Sequence, residues 1–147
     1  MDYTIRDCKP GDLPALIELC AKHAAYERSE YNPIGKSERL KAALFDEPKA
    51  LNCWVVEIND QLAGYCSFTF DYSTWNAAYF IYMDCLYLEP ECRSKGIGEK
   101  IIDKLKQVAK AKEGIKIQWQ TPVFNERAIK FYRRVGATEK EKVRFYL

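Results

Sequence analysis

The hydrophobic period changes twice in the second half of this chain, and that constrains its fold more than any other feature. A long apolar stretch from Ala78 to about Leu88 reads as one extended strand. Past Glu89-Pro90 the pattern turns helical: from Gly96 to Lys112, the residues Ile97, Ile101, Leu105, Val108 and Lys112 fall near one face, with Ile102 beside it. Ile115 to Gln120 then alternates as a strand again. A helix with one apolar face between two strands has to bury that face against a sheet.

The first half supplies more of the sheet. Tyr3-Thr4-Ile5-Arg6 is a short strand candidate, and Asp12 reads as the cap of a helix with Pro14 in its first turn and apolar Leu13, Leu16, Ile17, Leu19 and Cys20. Tyr26 to Lys36 reads as a loop, and Ser37 as the cap of a short helix ending before Pro48. Leu51–Ile58 and Leu62–Phe70 form a hairpin about Asn59-Asp60, followed by a polar, aromatic loop from Asp71 to Asn76. Asn125 caps a final helix that Gly136 stops, and Val143–Leu147 reads as a last strand. The expected fold is a mixed α+β (α/β) sheet with helices on both faces. At 147 residues, without a linker or repeat, positions 1–147 make a single domain.

Charge and cysteine usage narrow the function. Lys and Arg total 23 against 21 Asp and Glu, a balance that argues against a general nucleic-acid binder, although it allows a local basic pocket. The six cysteines include no C-x-x-C, and His23 is the lone histidine, so no zinc-ligand spacing exists and no metal site is expected. Cys20 and His23, three apart on a helix, read as packing or surface residues. No apolar run is long enough for a membrane span, and the first residues are not a signal segment. Free thiols without an export signal point to a cytoplasmic protein.

Two segments carry chemistry. Arg93-Ser94-Lys95-Gly96-Ile97-Gly98 joins the long strand to its helix. Glycines let backbone approach a ligand, and a helix N-terminus offers unpaired N–H groups and partial positive charge, a cradle for phosphate. A plain turn would also explain it. The segment is neither a Walker loop nor a complete G-x-G-x-x-G; it fits R-x-x-G-x-G. The second segment, Asn125 to Ala137, reads N-x-x-A-x-x-F-Y-x-x-x-G-A.

Together these motifs resemble the GNAT superfamily of acetyl-coenzyme A-dependent N-acetyltransferases over essentially the whole chain. Within it, Gly64-Tyr65, Phe68-Thr69-Phe70-Asp71 with Trp75, Tyr82-Met83-Asp84, and Phe131 to Ala137 are most similar to the diamine (spermidine/spermine-type) enzymes. Asp84 stands where those carry a glutamate, and the Asp71–Trp75 loop is longer and lacks its proline. The resemblance implies a GNAT-like, mostly antiparallel twisted sheet with a splayed central strand pair, open between the long strand and Ile115–Gln120. It implies acetyl-CoA as co-substrate, with pantetheine pairing along the end of the long strand at Leu86 and Leu88. It assigns the pyrophosphate to Arg93, Ser94, Lys95, Gly96, Ile97 and Gly98, with Asn125 on the pantetheine arm, capping its helix, or both. Acetyl then passes directly to a primary amine. Asp84 takes the amine's proton, directly or through water, provided burial raises its pKa, and Tyr132 supplies a proton to the leaving thiolate. Tyr26, Glu27, Asp71 and Trp75 are the implied walls of an amine pocket, and a homodimer is the usual assembly.

Each residue also has a plainer reading. By spacing alone Tyr132 is a core aromatic, Asp84 a solvated or loop-holding carboxylate, Arg93 a surface residue, and Tyr26, Glu27, Asp71 and Trp75 an acidic loop with a packed Trp. An amino sugar, an amino acid or a protein lysine is an alternative acceptor. A non-catalytic acyl-CoA-binding module is the alternative of another class.

Overall fold

A computed structural model describes residues 1–147 and places five strands side by side in sequence order. Strands β1 (Thr4–Asp7), β2 (Asn52–Ile58), β3 (Gln61–Ser73) and β4 (Ala78–Leu88) pair antiparallel, and β5 (Lys116–Gln118) lies parallel to β4 at the edge. Helices α1 (Leu13–Tyr26), α2 (Lys36–Phe45), α3 (Ile97–Ala111) and α4 (Glu126–Arg134) complete the expected α+β fold.

Side-chain alternation divides the sheet into two cores. On one face Val56, Cys66, Phe68, Ile81 and Met83 pack against Ile97, Ile101, Ile102 and Leu105 of α3. On the other, Cys53, Val55, Tyr65 and Tyr87 pack against Leu13, Leu16 and Leu19 of α1 and Leu44 of α2. Burying an Ile or Leu side chain contributes roughly 2 kcal/mol, so α3, whose apolar residues repeat every three or four positions, is held firmly against the strands that frame the site.

Several local expectations change. Asp12 precedes α1 but does not cap it with its side chain. Its carboxylate instead accepts from the Arg6 guanidinium at 2.7 and 3.0 Å and from the Lys9 N–H at 2.8 Å, and the guanidinium holds it below the usual carboxylate range. Ser37 is already inside α2, which starts at Lys36 after Gly35 in the left-handed region. β3 runs on to Ser73, so the expected loop contracts to a turn. The last strand does not form: Val143–Leu147 pairs with nothing, and Phe145 is 87% exposed. Alternation gives a segment the capacity for a strand, but a strand exists only where a neighbour offers its row of N–H and C=O groups.

Candidate active site

The site begins with two interruptions in β4. Pairing to β5 covers only Phe80↔Lys116, Ile81↔Ile117 and Tyr82↔Gln118, so β4 has a free edge from Met83 onward. At the same point its register with β3 slips, Ser67 opposing Cys85 while Phe68 opposes Met83, which leaves Asp84 as an extra residue. Such a bulge bends a strand and re-aims a side chain. The core records it: Ile81 and Met83 face α3 before the bulge, Leu86 and Leu88 after it.

The splayed strands open a cavity of about 590 Å³. Asp84, Leu86 and Leu88 line it from β4, as do Tyr26 and Glu27 at the C-terminal end of α1, Arg93, Ser94 and Gly96 from the β4–α3 loop, Gly98 from the first turn of α3, and Asn125 and Tyr132. Asp84 is exposed rather than buried. The cavity thus brings together most of the residues expected from the sequence. Lys95 is outside its lining, and Ile97 is buried in the core, leaving its backbone as its contribution to the loop. Asp71 and Trp75 also stand apart. The register sets Asp71 opposite Phe80, across the bulge from Asp84, its carboxylate accepts from the Thr69 hydroxyl, and Trp75 is 98% exposed on the turn.

The loop has the geometry of an anion cradle. Ser94 and Gly96 both have positive φ, 59° and 80°, so the backbone curls before α3. The first-turn N–H groups of a helix have no partner within it and attract anions. A Cβ at Gly96 would meet open space, so it is the positive φ that favours glycine there. Gly98 serves packing too: a Cβ there would lie 3.1 Å from the Phe131 ring of α4.

Arg93 is anchored at the cavity wall. Its Nε donates to the Leu88 carbonyl at 2.9 Å, and the guanidinium carbon lies 4.6 Å from the Tyr26 ring centre and 5.4 Å from that of Tyr87. The Ser94 hydroxyl accepts from Arg127 at 2.7 Å. Asn125 is buried, and its Oδ1 accepts from the Ala128 N–H at 3.3 Å, capping α4 as expected, and from the Tyr26 hydroxyl at 3.2 Å. Tyr26 therefore braces α1 against α4 as well as lining the cavity. Tyr132 packs edge-on to Trp119 and against Phe131. Burial pushes its phenol well above the ordinary tyrosine value, so it keeps its proton at neutral pH.

Four basic residues of the cavity wall are absent from the sequence-based expectation for the site. Arg127, Lys130 and Arg134 recur at three- and four-residue steps along α4 and give the wall a basic stripe. His23, expected as a packing or surface residue, lines the cavity and bonds Glu27 one helical turn on; the i, i+4 spacing is the signal in the sequence. No group of three His, Cys, Asp or Glu side chains could hold a metal ion, and no helix is long and apolar enough to cross a membrane.

Comparison with known proteins decides the family. The model of the acetyltransferase (GNAT) family matches residues 16–137, most of the chain. The chain belongs to the GNAT acetyltransferases. This GNAT chain is 33% identical over 143 residues to the thialysine N-epsilon-acetyltransferase of Bos taurus, covering 92% of itself and 84% of that protein. It is 25% identical over 148 residues to the human spermidine/spermine N(1)-acetyltransferase-like protein 1, covering 95% of itself and 21% of that longer protein. Its fold is similar to an aminoglycoside acetyltransferase from an uncultured soil metagenomic sample, with a TM-score of 0.82 at 22% identity over 99% of this chain and 95% of that one. It is an acetyltransferase acting on an amine, and GNAT acetyltransferases use acetyl-CoA.

Proposed function

We propose that this GNAT chain passes acetyl directly from acetyl-CoA to a small primary amine of the diamine or polyamine kind. One observation carries the reading: the carboxylates of Glu27 and Asp84 line the same cavity as the partly buried Tyr132, where β4 parts from β5. Two carboxylates suit an acceptor with more than one ammonium group, and the thialysine and spermidine/spermine enzymes among its relatives act on amines by name.

The chain fits acetyl-CoA through its curled loop, the α3 N-terminus and the basic wall of Arg93, Arg127, Lys130 and Arg134. The Ser94–Gly98 loop holds the pyrophosphate through its backbone N–H groups, with Lys95 adding only longer-range charge from outside the cavity lining, the free edge of β4 at Leu86 and Leu88 takes the pantetheine, and Asn125 fixes the α4 end. Acetyl-CoA supplies the thioester carbonyl and a thiolate leaving group. An alkylamine titrates near 10, so it arrives as ammonium and must lose a proton before attack. Asp84 lines the cavity at the bulge, exposed rather than desolvated as the base role assumed, and takes that proton directly or through water. Tyr132 gives a proton to the departing sulfur. Replacing Asp84 with Asn is expected to slow turnover at least tenfold at neutral pH; an unaltered rate and pH profile would remove it from the mechanism.

The acceptor class is tested by free-thiol release from acetyl-CoA against spermidine, putrescine, amino sugars, amino acids and a lysine peptide. Release with the di- and polyamines alone is expected; release with another class alone would contradict the reading. The enzyme works in the cytoplasm as a homodimer, an assembly supported by the exposed apolar residues Val143, Phe145 and Tyr146 of a tail that a single copy leaves uncovered. Sedimentation at micromolar concentration is expected to show two chains per particle, fewer after removal of residues 143–147; a monomer throughout would contradict it.

A further inference from the structure

One buried polar chain beside the cavity is unused by the steps above. His23, on α1, has its side chain only 12% exposed, and each ring nitrogen is engaged. Nδ1 lies 2.8 Å from the Tyr65 hydroxyl, and Nε2 lies 2.6 Å from Oε2 of Glu27. The ring stacks on Tyr87, centroids 5.3 Å apart, and meets Tyr65 edge-on at 5.8 Å. Its orientation is therefore fixed by two hydrogen bonds and two aromatic neighbours.

The donors and acceptors can be assigned. An ionised carboxylate only accepts, so Nε2 carries a hydrogen and donates to Glu27 whether the imidazole is neutral or charged. Burial keeps the Tyr65 phenol protonated, so in the neutral imidazole its O–H donates to Nδ1. The direction of bonding then runs Tyr65 to His23 to Glu27. Nε2, already a donor, cannot also receive a proton from Glu27, so the chain orients the carboxylate and does not relay protons from it. The Glu27 side chain remains 31% exposed, so it is reachable from the cavity.

We propose that His23 is a positioning residue that holds the Glu27 carboxylate as the receptor for a second, non-reacting ammonium of the substrate, and so sets the preference for diamines and polyamines over monoamines. The proposal rests on the amine reading above and deepens it. A free glutamate side chain loses rotamer freedom when it binds a cation; one already fixed at 2.6 Å has lost it beforehand. Asp84, on β4, is assigned to the reacting amine above, which leaves Glu27 for the substrate's other ammonium.

The test is calorimetric binding of spermidine, and of propylamine as the single-cation control, to the CoA-loaded protein, which requires no turnover. His23→Phe keeps a ring against Tyr87 but donates nothing. It is expected to weaken spermidine about tenfold and to change propylamine and CoA less than twofold. His23→Gln, which restores a donor toward Glu27, is expected to bind spermidine within threefold of wild type. In a Glu27→Gln background, His23→Phe is expected to add less than twofold. Spermidine binding unchanged by His23→Phe, equal losses for all three ligands, or a full tenfold loss persisting in the Glu27→Gln background would each overturn the proposal. If His23→Phe does not fold, Tyr65→Phe withdraws only the phenol from Nδ1 and is expected to cost spermidine about threefold; no change would overturn it. A wild-type protein that binds propylamine but not spermidine, or neither amine, would overturn the polyamine reading itself and this proposal with it.

Discussion

Replacing Tyr132 with Phe is expected to lower kcat at least tenfold at neutral pH, with the KM of each substrate changing less than threefold. Phe keeps the ring against Trp119 and Phe131 and removes only the hydroxyl, so the packing that seats α4 survives. A positioned general acid is typically worth a hundredfold or more, and tenfold is the least the role demands. The pH dependence has a definite sign. Burial raises the phenol above its ordinary value near 10, so the acid form persists through pH 10 instead of being lost there. A cysteine-like thiolate, with a parent pKa of about 8.5, takes up a proton as it leaves at neutral pH. In wild type kcat is expected to climb with pH as the amine loses its proton, with no fall before about pH 10. Stopped-flow or steady-state rates from pH 6 to 10.5 on both proteins check this. Equal kcat for wild type and variant would make Tyr132 the core aromatic that its spacing with Ala128 and Val135 suggests.

The second large effect is expected at Arg93. Arg93→Ala is expected to raise the KM for acetyl-CoA at least tenfold while leaving the KM for the amine within threefold. The guanidinium is already held by the Leu88 carbonyl and the faces of Tyr26 and Tyr87, so a phosphate meets a charge that needs little ordering. Arg93→Lys keeps the charge but loses the fork and the flat stacking surface, and is expected to fall between the two. Calorimetry with CoA measures the same loss without turnover. An untouched acetyl-CoA KM in Arg93→Ala would make Arg93 a brace between β4 and α1 and nothing more.

Much of this was legible in the residues. The period change about Arg93 announces a strand, a loop and a helix, because apolar spacing records which faces are buried. Even the bulge leaves a trace: apolar core positions switch from odd numbers at Ile81 and Met83 to even ones at Leu86 and Leu88, with Asp84 between them. Other features depend on partners distant in sequence. Asp71 and Trp75 follow Phe70 closely in the chain, but the β3–β4 register carries them to the hairpin end and out of the cavity. Val143–Leu147 alternates like a strand and finds no neighbour. Asp12 looks like a cap, but the Arg6 guanidinium outbids the α1 backbone for its carboxylate. His23 gained its meaning only when β3 placed Tyr65 beside it.

Direct transfer between thioester and amine leaves no acetyl group on the protein at any time, and mass measurement reads this. The six cysteines are free thiols, and Cys85 adjoins Asp84, its thiol donating to that carboxylate at 3.5 Å. An acetylated cysteine would therefore be visible as an added mass on the protein. The protein is incubated with acetyl-CoA and spermidine, and both the amine and the intact chain are weighed through the time course. One acetyl group on the amine, free CoA in equal amount and a chain of unchanged mass throughout are expected. An unmodified amine, or an acetylated chain that forms first and then delivers its acetyl group to the amine, would contradict direct transfer.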